Sequence, residues 1–196
     1  MEPAPPAVAT TEDLASTFRL AMRRLAATVS IVTAAPRFGM AATSVASLTL
    51  DPPALLVCVN RDASIFPVLG QGASFCVNVL ASSHGELSAA FGGKLSREAR
   101  FGVGDWRFGE DGDSMATPPW LADAQSNIFC RVDAWLDYGT HRIVVGRVER
   151  VRLHGAVDAQ PLHPRHRGDG FGAVVAVDHE DRPDQVVHRQ RGFAHH

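Results

Sequence analysis

Residues 128–153 read "IFCRVDAWLDYGTHRIVVGRVERVRL", and the alternation within them decides the fold class. Ile128, Cys130, Val132, Ala134 and Leu136 alternate with Phe129, Arg131, Asp133, Trp135 and Asp137, a period of two held over about ten residues. A half-buried strand has this pattern. A turn at Tyr138-Gly139-Thr140 leads into a return strand, "HRIVVGRVERVRL", whose phase slips near Gly146 as a β-bulge makes it slip. Two long antiparallel strands with few helices elsewhere predict a mainly β (α+β) barrel.

Upstream, "ALLVCVN" (Ala54 to Asn60) and "SFCVNVL" (Ser74 to Leu80) are continuous apolar runs of the kind buried on both faces. "TVSIVTAAP" is rich in β-branched residues and ends at Pro36; "MAATSVASLTL" follows Gly39 as a further strand, closed by Asp51, which Pro52 pushes out of helical geometry. The helices are fewer and shorter. Thr10 or Thr11 caps the first, with Glu12 and Asp13 favoured in its first turn. Its apolar stripe, Leu14, Phe18, Met22 and Leu25, predicts a face laid over the sheet. "RDASIFPVLGQG" reads as one short helix. Ser83 with Glu86 forms a capping box that opens another helix, which Gly92-Gly93 ends, and "LSREARF" adds a turn. Gly102 to Leu121, rich in Gly, Asp and Pro, reads as a long surface connection.

The 196 residues suit one domain, with a flexible leader at 1–12, the folded unit at 13–162 and a mobile tail at 163–196. A net charge of −2 gives no general attraction to nucleic acid, and no apolar run approaches the length of a membrane helix. The N-terminus is acidic and Pro-rich where a signal peptide is basic and then apolar. Cys58, Cys76 and Cys130 sit singly in apolar runs, as buried thiols do in a reducing compartment, so a cytoplasmic location is expected.

Several familiar sites are set aside. "GVGDWRFG" at 102–109 does not fulfil GxGxxG and follows no strand. His163, His166, His195 and His196 lie in a tail without an ordered frame of carboxylates, and no CxxC is present, so no metal site is expected. There remains "ATSVAS", with the hydroxyls of Thr43, Ser44 and Ser47 on a strand of small residues. It reads either as an edge strand with solvated hydroxyls, or as a wall kept low so that a flat or phosphorylated ligand can approach the backbone. Asn60, Phe91 with Gly92-Gly93, and Lys94 favour the second reading. His141 is either a locally bonded turn histidine or one that faces a cofactor.

In order, "FRLAMRRLAATVSIVTA", "GMAATSVASLTLDPPALLVCVNRDASIFPVL", "FCVNVLASSHGELSAAFGGKLSREARF" and "GTHRIVVGRVERV" resemble the flavin reductase family of the split β-barrel flavin-binding fold, the small component of two-component flavin-dependent monooxygenases. The resemblance runs from about Phe18 to Leu162. It implies hydride transfer from NADH or NADPH to FMN or FAD, release of reduced flavin to an oxygenase, and a homodimer. By the same resemblance Met40, Ala41, Ala42, Thr43, Ser44 and Ser47 line the flavin, Cys58, Val59 and Asn60 border its ring, and Ser64 lies near the phosphate. Phe91, Gly92 and Lys94 close the pocket, and His141 positions the nicotinamide. The rival reading is a non-catalytic flavin-binding carrier on the same barrel; an oxidase of the pyridoxine-phosphate type shares the architecture without the motifs. The family's C-terminal aromatic has only a loose counterpart here, Phe171.

Overall fold

The computed structural model describes residues 11–109 and 117–154. Helix α1 (Thr11–Met22) precedes strands β1 (Ser30–Ala34), β2 (Phe38–Ala42), β3 (Val45–Leu50), β4 (Pro53–Asn60) and β5 (Ser74–Val79). Short helices α2 (Gly85–Ala89) and α3 (Arg97–Arg100) follow, then β6 (Trp106–Arg107), β7 (Trp120–Leu121) and two long strands, β8 (Ser126–Tyr138) and β9 (His141–Leu153).

Seven strands form one antiparallel sheet in the order β2-β1-β5-β8-β9-β4-β3. β2 and β3 therefore occupy opposite edges, although only Thr43 and Ser44 separate them in the chain. In a flat sheet those edges would lie about 29 Å apart, and a two-residue link spans about 10 Å at most. The sheet must roll up until its edges meet. No ladder joins β2 to β3, so the seam stays open and the barrel is split. The expected mainly β split barrel is thus present, and the single strand expected over Met40 to Leu50 is instead two, broken where the chain crosses the seam.

The β8–β9 hairpin closes through the two-residue loop Gly139-Thr140, with Gly139 at φ 55°, a left-handed geometry that suits glycine in such turns. The phase slip expected near Gly146 corresponds to irregular register between Phe129 and Cys130 and between Val132 and Ala134. The ring of Phe75 lies where a Gly146 side chain would start, so that position needs a residue without a Cβ.

Two apolar clusters hold the sheet. Val32, Val57, Val59, Phe75, Val77, Val132 and Val144 fill one. Ile31, Leu80, Leu87, Phe91, Phe101, Trp106 and Leu121 form the other. β1 feeds both and is buried along its whole length, Ser30 and Thr33 included. Fully buried Asn78 ties β1 to β7 and β8: its amide donates to Ile31 O at 2.9 Å, while its oxygen accepts from Leu121 N and Asn127 Nδ2, each at 2.9 Å.

Other expectations need correction in four places. The α1 stripe is not covered: Leu14, Phe18 and Leu25 are 63%, 55% and 52% exposed. Pro67 limits the expected helix after Arg61 to the single 3-10 turn Phe66–Val68. α2 starts at Gly85 with His84, not Ser83, at its N-cap, because the His84 ring accepts the Ala81 N–H at 3.2 Å and makes the turn itself. Residues 102–109 and 117–121 are more than a surface connection, since Trp106 and Leu121 are buried and lie in paired strands. Ser96 caps α3, accepting from Ala99 N. The leader through residue 10 and the tail lie outside the described residues.

Candidate functional site

The link that crosses the seam is stitched to β4 from both sides. Cys58 N donates to Ser44 O, and Ser44 Oγ donates to Cys58 O, each at 3.2 Å. Ser44 is buried, and its short side chain permits this approach. The Cys58 thiol is pushed up by burial, and the Ser44 hydroxyl partly offsets that shift. β2 and β3 are both sheet edges, so one side of each presents main-chain donors and acceptors that no strand satisfies.

Where β4 ends, three strands bring chemistry together. Asn60 lies directly opposite His141 on β9, which lies opposite Tyr138 on β8. Cross-strand partners share a face, so Asn60, His141 and Tyr138 make one row, with Cys58, Ile143 and Leu136 the next row on that face. Asn60 Oδ1 accepts the Asp62 N–H at 2.9 Å and so shapes the turn that carries Ser64. Thr140 Oγ1 lies 2.9 Å from His141 Nδ1; with the hydroxyl as donor, Nε2 holds the ring proton.

The opposite face at this end has a row of its own, Val59, Arg142 and Asp137. Arg142 donates to both Asp137 oxygens, at 2.7 and 3.0 Å, and its guanidinium lies over Phe66 at 4.5 Å and Trp135 at 5.1 Å. Arg61 approaches the same carboxylate at 3.8 Å. The hydrogen bonds from Arg142 hold the Asp137 carboxyl below the usual carboxylate range. The sequence reading passed over this group, yet it held a signal: a two-residue loop at Gly139-Thr140 sets Asp137 opposite Arg142, an opposite-charge cross-strand pair.

The expected site residues divide accordingly. Met40, Ala41, Thr43 and Ser44 lie along the seam on β2 and the link, Ala42 is buried in the core, and Cys58, Asn60 and His141 join them through the pairing of β4. Ser47 and Ser64 are exposed, on β3 and in the turn after β4. Val59 is fully buried, so its side chain belongs to the core and only its backbone is available to a ligand. Phe91 needs the same correction. Its ring is 3% exposed, stacked edge-on against Phe101 and packed where a Gly39 side chain would stand. Any part of that segment in a pocket falls to its backbone and to Gly92, which is exposed with open space around its Cα. The side chain of Lys94, and Phe171, lie outside the described residues.

Residues 22–169 match the flavin reductase like domain. The chain belongs to this family. It is 41% identical over 153 residues to the FMN reductase (NADH) RutF of Agrobacterium fabrum, which covers 76% of this chain and 85% of that protein. To RutF of Cronobacter sakazakii it is 44% identical over 147 residues, 71% of this chain and 86% of that one. Among solved structures it is similar to BorF, the flavin reductase component of a bacterial two-component tryptophan halogenase. The TM-score is 0.65 at 28% identity, covering 79% of this chain and 97% of BorF. It is also similar to the Streptomyces globisporus NADH:FAD oxidoreductase SgcE6 in complex with NAD and FAD fragments. There the TM-score is 0.63 at 25% identity, covering 78% of this chain and 99% of that one. Family membership makes the protein an enzyme, a flavin reductase.

The seam fits the ring system that this family uses. Isoalloxazine is flat and carries hydrogen-bonding atoms along one edge, and the seam offers low side chains beside unsatisfied main-chain groups.

Proposed function

We propose that the protein oxidises NADH, reduces free FMN or FAD, and releases the reduced flavin to a separate flavin-dependent oxygenase. The observation that carries this reading is the open seam with Ser44 stitched to Cys58, beside a row that pairs Asn60 with His141. The names of the relatives support FMN and NADH as the preferred pair, and the halogenase reductase supports a two-component arrangement.

Bound flavin supplies the two-electron acceptor for the hydride of the nicotinamide. The chain's own task is placement. Met40 to Ser44 hold the ring against the backbone, with Cys58, the Val59 backbone and Asn60 along its border. Ser64 and the Phe91–Lys94 segment serve the phosphate side, and His141 orients the nicotinamide across the ring. No proton abstraction is required of a side chain. Residues 13–162 form the working domain and act as a homodimer, which would cover exposed sheet edges. The unpaired, buried state of Cys58, Cys76 and Cys130 supports a reducing, cytoplasmic setting. Among the described residues no helix is long and apolar enough to cross a membrane.

The test is oxidation of NADH or NADPH by purified protein against rising FMN, FAD and riboflavin. Turnover that saturates with added flavin, faster with NADH, is expected. Flavin retained through gel filtration without nicotinamide oxidation would establish the carrier instead.

A further inference from the structure

The Arg142 group lies on the face opposite His141 and has no part in the placement described above. Its construction is more than that of a surface ion pair. Exposed pairs contribute little because water competes for both charges. Here the Arg142 side chain is only 17% exposed, engages both Asp137 oxygens, and lies over two aromatic rings. A planar guanidinium held by a fork of hydrogen bonds and by rings has little freedom left.

The three groups it joins come from two separate segments. Phe66 belongs to the segment that follows Asn60 and carries Ser64; Trp135 and Asp137 belong to the end of β8, next to the loop before His141. Arg61 adds a second tie between the same two segments, through its side chain to Asp137 at 3.8 Å and its N–H to Thr140 O at 3.0 Å. The β4–β9 ladder ends at Asn60 and His141, so these side-chain ties extend the connection between the two segments beyond it.

We propose that Arg142 is a positioning residue: its guanidinium locks the 61–66 turn to the end of the β8–β9 hairpin and so sets the relative placement of Asn60, Ser64 and His141 on the ligand side. This rests on the reductase reading for its kinetic consequence, but not for its effect on ligand affinity. Loss of the lock lets the two turns drift apart, and a misplacement of about 1 Å at such groups costs about 100-fold in rate or affinity at the upper end.

The hairpin contains its own control. Arg131 pairs with Glu149 at 2.6 Å on the same two strands, away from both turns, with side chains 45% and 38% exposed. Arg142→Met, Arg142→Lys, Asp137→Asn and the control Glu149→Gln are compared by three readouts: flavin Kd from fluorescence quenching, KM and kcat for NADH, and thermal midpoint. Arg142→Met and Asp137→Asn are expected to raise flavin Kd and NADH KM about tenfold and to lower kcat/KM by at least as much. Arg142→Lys should recover part of the loss, and Glu149→Gln should leave Kd and KM unchanged. Unchanged Kd and KM in Arg142→Met with only a lowered midpoint would overturn the proposal, since the group would then be a brace for stability alone. So would equal kinetic losses in Glu149→Gln. If Arg142→Met does not fold, Asp137→Asn and Arg142→Lys decide by the same criteria. If the wild-type protein binds flavin but oxidises no nicotinamide, the reductase reading fails, and the flavin Kd of the variants still supports or overturns the lock.

Discussion

Ser44 matters for its size. It is 6% exposed with its hydroxyl on Cys58 O, so a longer side chain at this position must either fill the seam or break the stitch to β4. Ser44→Leu is expected to raise flavin Kd at least about tenfold, as overpacking at a preformed site does, measured by flavin fluorescence; unchanged affinity would remove Ser44 from the site. His141→Ala should raise NADH KM while flavin Kd stays within about twofold, if the ring acts on the nicotinamide alone. The cysteines give a pH prediction. Burial pushes the Cys130 thiol up from 9.0 to about 12 and the Cys76 thiol well above its ordinary value. In the unfolded chain these thiols ionise first, so their contribution to stability is complete below about pH 9 and is lost as pH rises toward the folded value. Denaturant midpoints measured from pH 8 to 10.5 should therefore fall, and fall less steeply in Cys130→Ala, although that variant starts lower. A pH-independent midpoint would show that the thiols are less shielded than the fold indicates.

Among the elements, the hairpin and the Asn78 hub decide how well the seam is held. Gly146 faces the Phe75 ring without room for a methyl group, and Phe75 is almost wholly buried in the barrel. Gly146→Ala must push that ring aside and is expected to cost about 1–3 kcal/mol, the usual range for overpacking; an unchanged thermal midpoint would mean that the bulged hairpin yields instead. Asn78→Ala leaves the Leu121 N–H and the Asn127 amide without their shared acceptor, beside the donor bond lost at Ile31 O. A loss of about 2–4 kcal/mol is expected from chemical unfolding, because buried polar groups left unsatisfied lose their full hydration. The alternation of β8 was legible in the sequence, but where on that strand the register shifts, at Phe129/Cys130 and Val132/Ala134, was not, and Leu136 at the end of its stripe is 61% exposed. The break at Thr43-Ser44 was not legible, since small residues alternate no differently on either side of it. The α1 stripe was legible as amphipathic, but what it packs against was not, for a stripe names no partner.

For the whole molecule, the exposed apolar residues include Leu14 and Phe18 on α1 with Leu25 just after it, Leu50 on β3, and Leu136, Tyr138 and Leu153 along the long strands. A homodimer that covers such surface should have twice the 21.0 kDa chain mass by light scattering. Replacing Leu14, Phe18 and Leu25 together by Gln should shift that mass toward the monomer if α1 lies in the interface, and an unshifted mass would assign the interface to the strands.

The order of residues along the chain was enough to establish a mainly β domain, its long hairpin and the small-residue segment between Met40 and Ser47, because each of these depends on neighbours within a few positions. Pairing across the sheet was not contained in any such window. Only the rolled sheet sets Ser44 beside Cys58, turns Val59 and Phe91 into the core, and brings Asn60, His141 and Arg142 to one end of the seam. Those relations are fixed by contacts between residues about 14 to 80 positions apart, whose free energy depends on the whole sheet closing at once.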